Sequence, residues 1–511
     1  MCARERGWST VDEPVKKPSV DPLGKLRRLT RQGSVIRLKR LNDRQFTAVS
    51  AGLGLALAAG VVLAAGPWDS GQRKAERDWA AARSRTGGAH HDPGTPPGPE
   101  AAPSAPAVLA PLSSVVDNAA PGRRDAPDGA AAALRAALRP LLKAPALGTV
   151  RTAVVIDTAT GERLYGQGAD TPMTPASTVK IATAVAALSA LGPDHRIATT
   201  VRASSDFRSV TLVGGGDPTL DKAALRALAT DTARALKDRG VKTVRLSYDA
   251  SRYSGPARHP IGPNENIAPV SALMTDEGRL DSSHSGPAPR SDDPAGDTAR
   301  TFGGLLDDAG IAIRPRPAPG KPSATSRPVA EHLSAPLSAL VERALTNSDN
   351  DIAEALARQT ALAAGRPADF NGGRSAVTAQ LKKLRLPLKG ANFADGSGLN
   401  RKDKVTAGLL AGLLALAADA DHPELRPVLT GLPVAGFSGT LSDRYTRKSA
   451  GTGLIRAKTG TLTGVNTLAG TVVDRQGRLL AFAFLASGTT SPSKAQSSLD
   501  ALATSLAART R

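Results

Sequence analysis

Between Phe46 and Trp68 the chain runs for twenty-three residues without a single charge, and Leu53, Leu55, Leu57, Val61, Val62 and Leu63 make the run strongly apolar. At about 1.5 Å per residue a helix of that length reaches about 35 Å, enough for a bilayer core of about 30 Å. Ahead of it, residues 1–45 carry twelve lysines and arginines against five acidic residues and show no apolar periodicity. That composition predicts a disordered basic leader on the cytoplasmic side. The expectation is therefore a single-pass signal anchor over 46–68 in the cell membrane, with everything after it extracytoplasmic. The competing reading is a signal peptide cut near Ala64-Ala65, which would release a secreted protein. The apolar core of such peptides is about 7–15 residues, so the longer run favours an uncleaved anchor.

Residues 69–127 read as a linker, dense in Pro, Ala, Gly and Ser from Gly87 onward. As a coil, about 60 residues span about 45 Å, and more with proline stiffening. This leaves the chain from residue 128 to residue 511 to fold, which is enough for a sizeable core. Aromatic residues make up only 3% of the chain, so that core must be aliphatic. The net charge of +20 is not gathered on a recognisable module with interleaved aromatics, and no nucleic-acid partner is expected. Cys2 is the one cysteine, which excludes an internal disulfide and a Cys-based metal site. The seven histidines show no metal-ligand spacing beyond the adjacent pair His90-His91, and no metal is expected. Gly214-Gly215-Gly216 follows a strand-like Val210–Val213, but Pro218 and the lack of a third spaced glycine argue against a dinucleotide loop.

Periodicity then sorts the folded part. A helix is expected over 130–142, strands over 149–157 and 163–165, and a helix from Pro175 through Leu188 that places Ser177 in its first turn and Lys180 above it on the same face. Strands near 197–203, 209–213 and 241–248 enclose a helix over 222–239. Residues 254–295, rich in Gly, Pro, Ser and Asp, read as long loops. Helices follow at 297–309, 335–345, 352–362, 374–383 and 406–418. Strands at 454–458, 466–473 and 478–486 and a helix over 494–508 close the chain. Such an ending suits an antiparallel sheet covered by helices. Ser-x-x-Lys recurs at Ser491 and Lys494, where Pro492 and the Gly488-Thr489-Thr490 run suggest a loop.

Three short motifs stand in order: Ser177-x-x-Lys180 at a helix start, Ser348-Asp349-Asn350 in a turn before a helix, and Lys458-Thr459-Gly460 on a strand. With them the sequence resembles the penicillin-binding proteins and serine β-lactamases. The 171 positions from Ser177 to Ser348 exceed what a compact β-lactamase needs. With Val213–Leu220, Asp395-Gly396-Ser397-Gly398-Leu399 and Ala457–Thr461, the chain looks like the D-Ala-D-Ala carboxypeptidase/endopeptidase family of type-4 penicillin-binding proteins, peptidase family S13. The resemblance covers about residues 128–511. It implies an α+β fold: a penicillin-binding/β-lactamase-like transpeptidase domain (antiparallel sheet covered by helices) over 128–200 and 331–511, with a mixed α/β insertion over 201–330.

The resemblance also implies a serine-type D-Ala-D-Ala carboxypeptidase, or a DD-endopeptidase, acting on peptidoglycan stem peptides through an acyl-enzyme and inhibited by β-lactams. Ser177 would be the nucleophile. Lys180 would take its proton, which requires burial and a neighbouring cation such as Lys458 to lower the lysine pKa. Ser348 would relay a proton to the leaving amine, and Asn350 would hold Lys180 and the substrate amide. Lys458 and Thr459 would grip the terminal carboxylate, and Gly460 would keep the strand edge clear for substrate. The backbone N–H groups of Ser177 and Thr461 would form the oxyanion hole. No cofactor is implied. Two other functions use the same acylation: a β-lactamase, disfavoured because no Glu-x-x-Leu-Asn-type segment lies between the first two motifs, and a membrane-anchored penicillin-binding sensor.

Overall fold

The computed structural model describes residues 127–446 and 448–508. The leader, the apolar run and the linker up to residue 126 lie outside the described residues. Among the described residues no helix is long and apolar enough to cross a membrane.

The chain enters through α1 (Pro127–Leu141), then β1 (Val150–Asp157) and β2 (Arg163–Gln167), and reaches α2 (Lys180–Leu191) by way of a 3₁₀ turn over Ala176–Val179. Next come β3 (Ala198–Ala203), β4 (Ser209–Val213), α3 (Lys222–Lys237) and β5 (Thr243–Asp249). After a long stretch with only one 3₁₀ turn come α4 (Pro294–Asp308), β6 (Ala312–Ile313), β7 (Ala318–Pro319) and β8 (Arg327–Leu333). The remaining helices are α5 (Leu337–Thr346), α6 (Asn350–Ala363), α7 (Phe370–Lys383), α8 (Ala407–Ala418) and the short α9 (Arg426–Thr430). Strands β9 (Ile455–Leu462), β10 (Val465–Val473) and β11 (Leu479–Ser487) precede the last helix, α10 (Pro492–Ala507).

Two sheets result. The first runs β2-β1-β11-β10-β9 and is antiparallel throughout. Period-two alternation gives it two apolar faces. Val154, Ile156, Ala481, Ala483 and Leu485 face a core shared with α2, α5, α6 and α8. Ala153, Val155, Phe482 and Phe484 face a second core with Leu134 and Leu138 of α1 and Leu499, Leu502 and Leu506 of α10. Helices on both faces explain why these strands read as continuous apolar runs.

The second sheet runs β6-β5-β4-β3-β8, with β7 also on β5, and mixes parallel with antiparallel pairs. It packs on α3 and α4 around Leu212, Leu228, Val244, Phe302 and Leu306. The sequence reading placed the edges of the insertion at 200/201 and 330/331. Both cuts fall inside strands that pair with each other: β3 with β8, from Ala198↔Leu333 to Ala203↔Arg327. The insertion thus opens and closes on one antiparallel pair, whose register the sequence alone does not show.

Ser491, expected in a loop, is instead the N-cap of α10 and accepts a hydrogen bond from the Lys494 amide. Its Ser-x-x-Lys spacing is that of a helix cap.

Candidate active site

Ser177 sits in the 3₁₀ turn, one turn ahead of the α-helix in which the periodicity had placed it. Ala176, immediately before it, is fully buried with φ +49°, a left-handed conformation that costs an alanine about 1–2 kcal/mol. Tertiary packing holds it there. The Pro175 carbonyl accepts the hydroxyls of Thr178 (2.8 Å) and, from β10, Thr467 (2.7 Å).

One turn on, Lys180 is 1% exposed, and its Nζ donates to three oxygens: Ser177 Oγ at 3.0 Å, Asn350 Oδ1 at 2.7 Å and the Ser397 carbonyl at 2.6 Å. Three segments far apart in sequence thus converge on one amine. Burial lowers the Lys180 pKa to about 8, against the opposing pull of Asp395, Asp349, Glu354 and Asp403. The sequence reading gave part of this work to a neighbouring cation. Desolvation carries the shift, and the Lys180 and Lys458 charges repel each other across the site.

Lys458, on edge strand β9, is fully buried, and its Nζ donates to the Thr459 carbonyl at 2.9 Å. Burial first, then the charges of Lys180 and Arg444, push its pKa well below the ordinary lysine value. Among the described residues no carboxylate lies within ion-pair distance of it. It is a buried amine whose proton an incoming anion would stabilise. The hydroxyl of Thr459, next along the strand, donates to that of Thr440 at 2.8 Å. Thr461 is exposed on the same strand, paired with Asn466.

A Cβ on Gly460 would lie 2.1 Å from Thr467 Oγ1 and 2.6 Å from the Pro175 carbonyl, so its bareness seats the Ser177 turn on β9.

Ser348 and Asn350 occupy the turn between α5 and α6. Ser348 is half-buried at φ +58°, a second left-handed non-glycine residue in the site. Asp349 caps α6 by accepting from the Ile352 amide at 3.0 Å. The Asn350 amide donates to the Asn266 carbonyl at 2.9 Å.

That last contact belongs to the loop stretch after β5, and sequence reasoning missed its part in the site. The same stretch delivers the Ala268 amide (2.9 Å) and Arg290 (2.8 Å) to Asp351, and Glu277 to Arg343. It also delivers His259 to Asp395 at 2.9 Å. These loops carry no periodicity, so the only sequence signal was their length.

The turn Asp395–Asn400 completes the constellation. Asp395 accepts the amides of Ser397 (3.1 Å), Gly398 (2.6 Å) and Asn400 (2.7 Å), and Glu354 accepts those of Gly396 (3.0 Å) and Ser397 (2.9 Å). Burial pushes the Asp395 carboxyl up, but donors from His259, Asp403 and the backbone outweigh it and hold it below the usual range. Asp403 goes the other way: burial and the Asp395 charge raise it to about 10, so it keeps its proton. A hydroxyl beside a buried low-pKa amine suits acyl transfer to serine, and a second buried amine on the strand edge suits a carboxylate.

The family model described as D-Ala-D-Ala carboxypeptidase 3 (S13) matches residues 134–288 and 281–509. The Carboxypeptidase DacB of Mycolicibacterium smegmatis is 37% identical over 421 residues, covering 79% of this chain and 89% of that one. A D-alanyl-D-alanine carboxypeptidase of an Actinomadura species is 30% identical, covering 73% and 84%. Among solved structures, penicillin binding protein 4 of Haemophilus influenzae superposes with a TM-score of 0.60 at 23% identity, over 72% of this chain and 98% of its own. That likeness shows the fold: a penicillin-binding transpeptidase domain carrying a mixed α/β insertion.

Proposed function

Because the chain belongs to the D-Ala-D-Ala carboxypeptidase 3 (S13) family, we propose that it removes the terminal D-Ala from peptidoglycan stem peptides by acyl transfer to Ser177. The observation that carries this reading is the 3.0 Å contact between Ser177 Oγ and a buried Lys180 whose pKa is lowered to about 8. Neutral Lys180 accepts the hydroxyl proton as Ser177 Oγ bonds to the carbonyl carbon of the D-Ala-D-Ala peptide bond. The C–N bond then breaks, and the leaving amine receives a proton relayed through Ser348. Water then attacks the ester: Lys180 takes the water proton and passes it to Ser177 Oγ as the C–O bond breaks, which restores the serine hydroxyl and the neutral amine. The backbone N–H groups of Ser177 and Thr461 stabilise the oxyanion, each such donor typically contributing about 3 kcal/mol. Lys458 supplies the charge that the terminal carboxylate neutralises, aided by the Thr459 hydroxyl at the strand edge. Asn350 holds both Lys180 and the substrate amide. A β-lactam presents the same carbonyl and carboxylate and leaves a long-lived ester on Ser177.

The test is a fluorescent penicillin applied to the wild type and to Ser177→Ala, with mass mapping of the adduct and D-Ala release from a muropeptide. We expect one adduct, on Ser177, and loss of both signals in the variant. An adduct that survives at another serine would overturn the assignment. The run Phe46–Trp68 is the proposed anchor, with the catalytic part outside the membrane. Recovery of the full-length chain from washed membranes supports it, and a mature N-terminus beyond Ala65 would refute it.

A further inference from the structure

His259 lies in the inserted segment, 136 positions from its partner Asp395, and its side chain is 1% exposed. Its Nδ1 accepts the Ile261 amide at 3.3 Å, so the ring proton resides on Nε2, which donates to Asp395 Oδ2 at 2.9 Å. Phe370 meets the ring edge-on at 5.3 Å and fixes its plane. Asp395 in turn holds the amides of Ser397, Gly398 and Asn400, and the Ser397 carbonyl accepts a hydrogen bond from Lys180 Nζ at 2.6 Å. The same turn bears on the nucleophile, because a Cβ on Gly398 would lie 2.0 Å from the Ala176 carbonyl and 3.0 Å from the Ser177 nitrogen. From imidazole to amine the path has four links, each a hydrogen bond or a peptide unit.

We infer that His259 is a positioning residue: by donating to Asp395 it fixes the Asp395–Asn400 turn, which aims Lys180 at Ser177. The insertion is then a working part of the acylation site. This inference rests on the proposed role of Lys180 and adds a residue outside the three motifs. Its signature is kinetic. A loosened turn misaims the amine without changing how a ligand docks, so the acylation rate constant falls while the non-covalent dissociation constant stays.

The experiment measures both constants with a fluorescent penicillin by stopped flow, on the full-length chain and its variants His259→Phe, His259→Gln and His259→Asn, each with a thermal melt. Phe keeps the bulk of the ring and loses the donor. Gln places an amide N–H near the Nε2 position, whereas Asn is one methylene too short. The expected result is a loss of tenfold or more in the acylation constant for Phe and Asn, an unchanged dissociation constant, and recovery to within about threefold for Gln. Equal acylation in all variants overturns the inference, as does a loss confined to docking or one that tracks only melting temperature. Should the Phe variant fail to fold, the Gln-against-Asn comparison decides by itself. Absence of a Ser177 adduct on the wild type is a different failure and sinks the proposed function instead.

Discussion

Lys180 is the residue on which pH acts most directly. Burial sets its pKa at about 8, so at pH 7 roughly a tenth of the molecules hold the neutral amine that can accept the Ser177 proton. Acylation by a β-lactam should therefore rise about tenfold between pH 7 and pH 9 as that fraction approaches one. A rate that stays flat over this interval would mean that another group takes the proton. Lys458 responds in the opposite sense. Burial and the neighbouring Lys180 and Arg444 charges work against its proton, and a substrate carboxylate works for it. Binding of a carboxylate ligand to Ser177→Ala should therefore take up a proton. Calorimetry in two buffers of different ionisation enthalpy reads that uptake directly, and identical heats in both would show Lys458 already charged. The sequence alone picks out both lysines, because each motif is local. The burial that lowers the Lys180 pKa is a property of packing, so the sequence could require it from the chemistry but no single position displays it.

At the level of elements, the site depends on how the Ser177 turn sits between β9 and the Asp395–Asn400 turn. Gly460→Ala tests one side of that seat. The added methyl meets backbone and a bonded hydroxyl, neither of which yields cheaply, so the cost should be about 1–3 kcal/mol. The melting temperature should drop by several degrees, and acylation should fall at least tenfold as the turn lifts off the strand. Wild-type acylation in a folded variant would show that the turn has slack. The elements themselves were largely readable. The apolar runs of β1, β10 and β11 and the longer apolar segments of α2 and α8 mark both type and place, because each is buried on both sides. The 3₁₀ turn before α2 was not readable. Ala176 at φ +49° is held by packing from afar, including the hydrogen bond that the Pro175 carbonyl accepts from Thr467 of β10, 292 positions later. For the same reason His259 and Asn266 gave no signal: they act through single contacts made by aperiodic loops.

Across the folded unit, the insertion and the helical part meet through buried carboxylates, and these set how stability varies with pH. Glu277 from the insertion lies against Arg279 and Arg343, and Asp351 of α6 against Arg290 and the Ala268 amide. Burial, together with the crowding of Asp349, raises Glu277 to about 8 and Asp351 to about 7. Near the catalytic lysine, burial and the Asp395 charge raise Glu354 to about 7 and Asp403 to about 10. All four shifts have the same sign. Each folded-state group holds a proton that the unfolded chain releases near pH 4–5, so its stabilising contribution is complete below that range and is lost as pH climbs through the folded value. The two buried lysines work the other way, because their depressed values make folding easier as pH rises toward 10.5, for Lys180 from about 8. Between pH 5 and pH 8 the acids dominate. The melting temperature should therefore fall by several degrees over that interval, and Glu277→Gln, which cannot ionise, should flatten part of the slope. A melting temperature that rises from pH 5 to pH 8 would mean that Arg279, Arg290 and Arg343 keep these carboxylates ionised, making the junction an ordinary set of ion pairs.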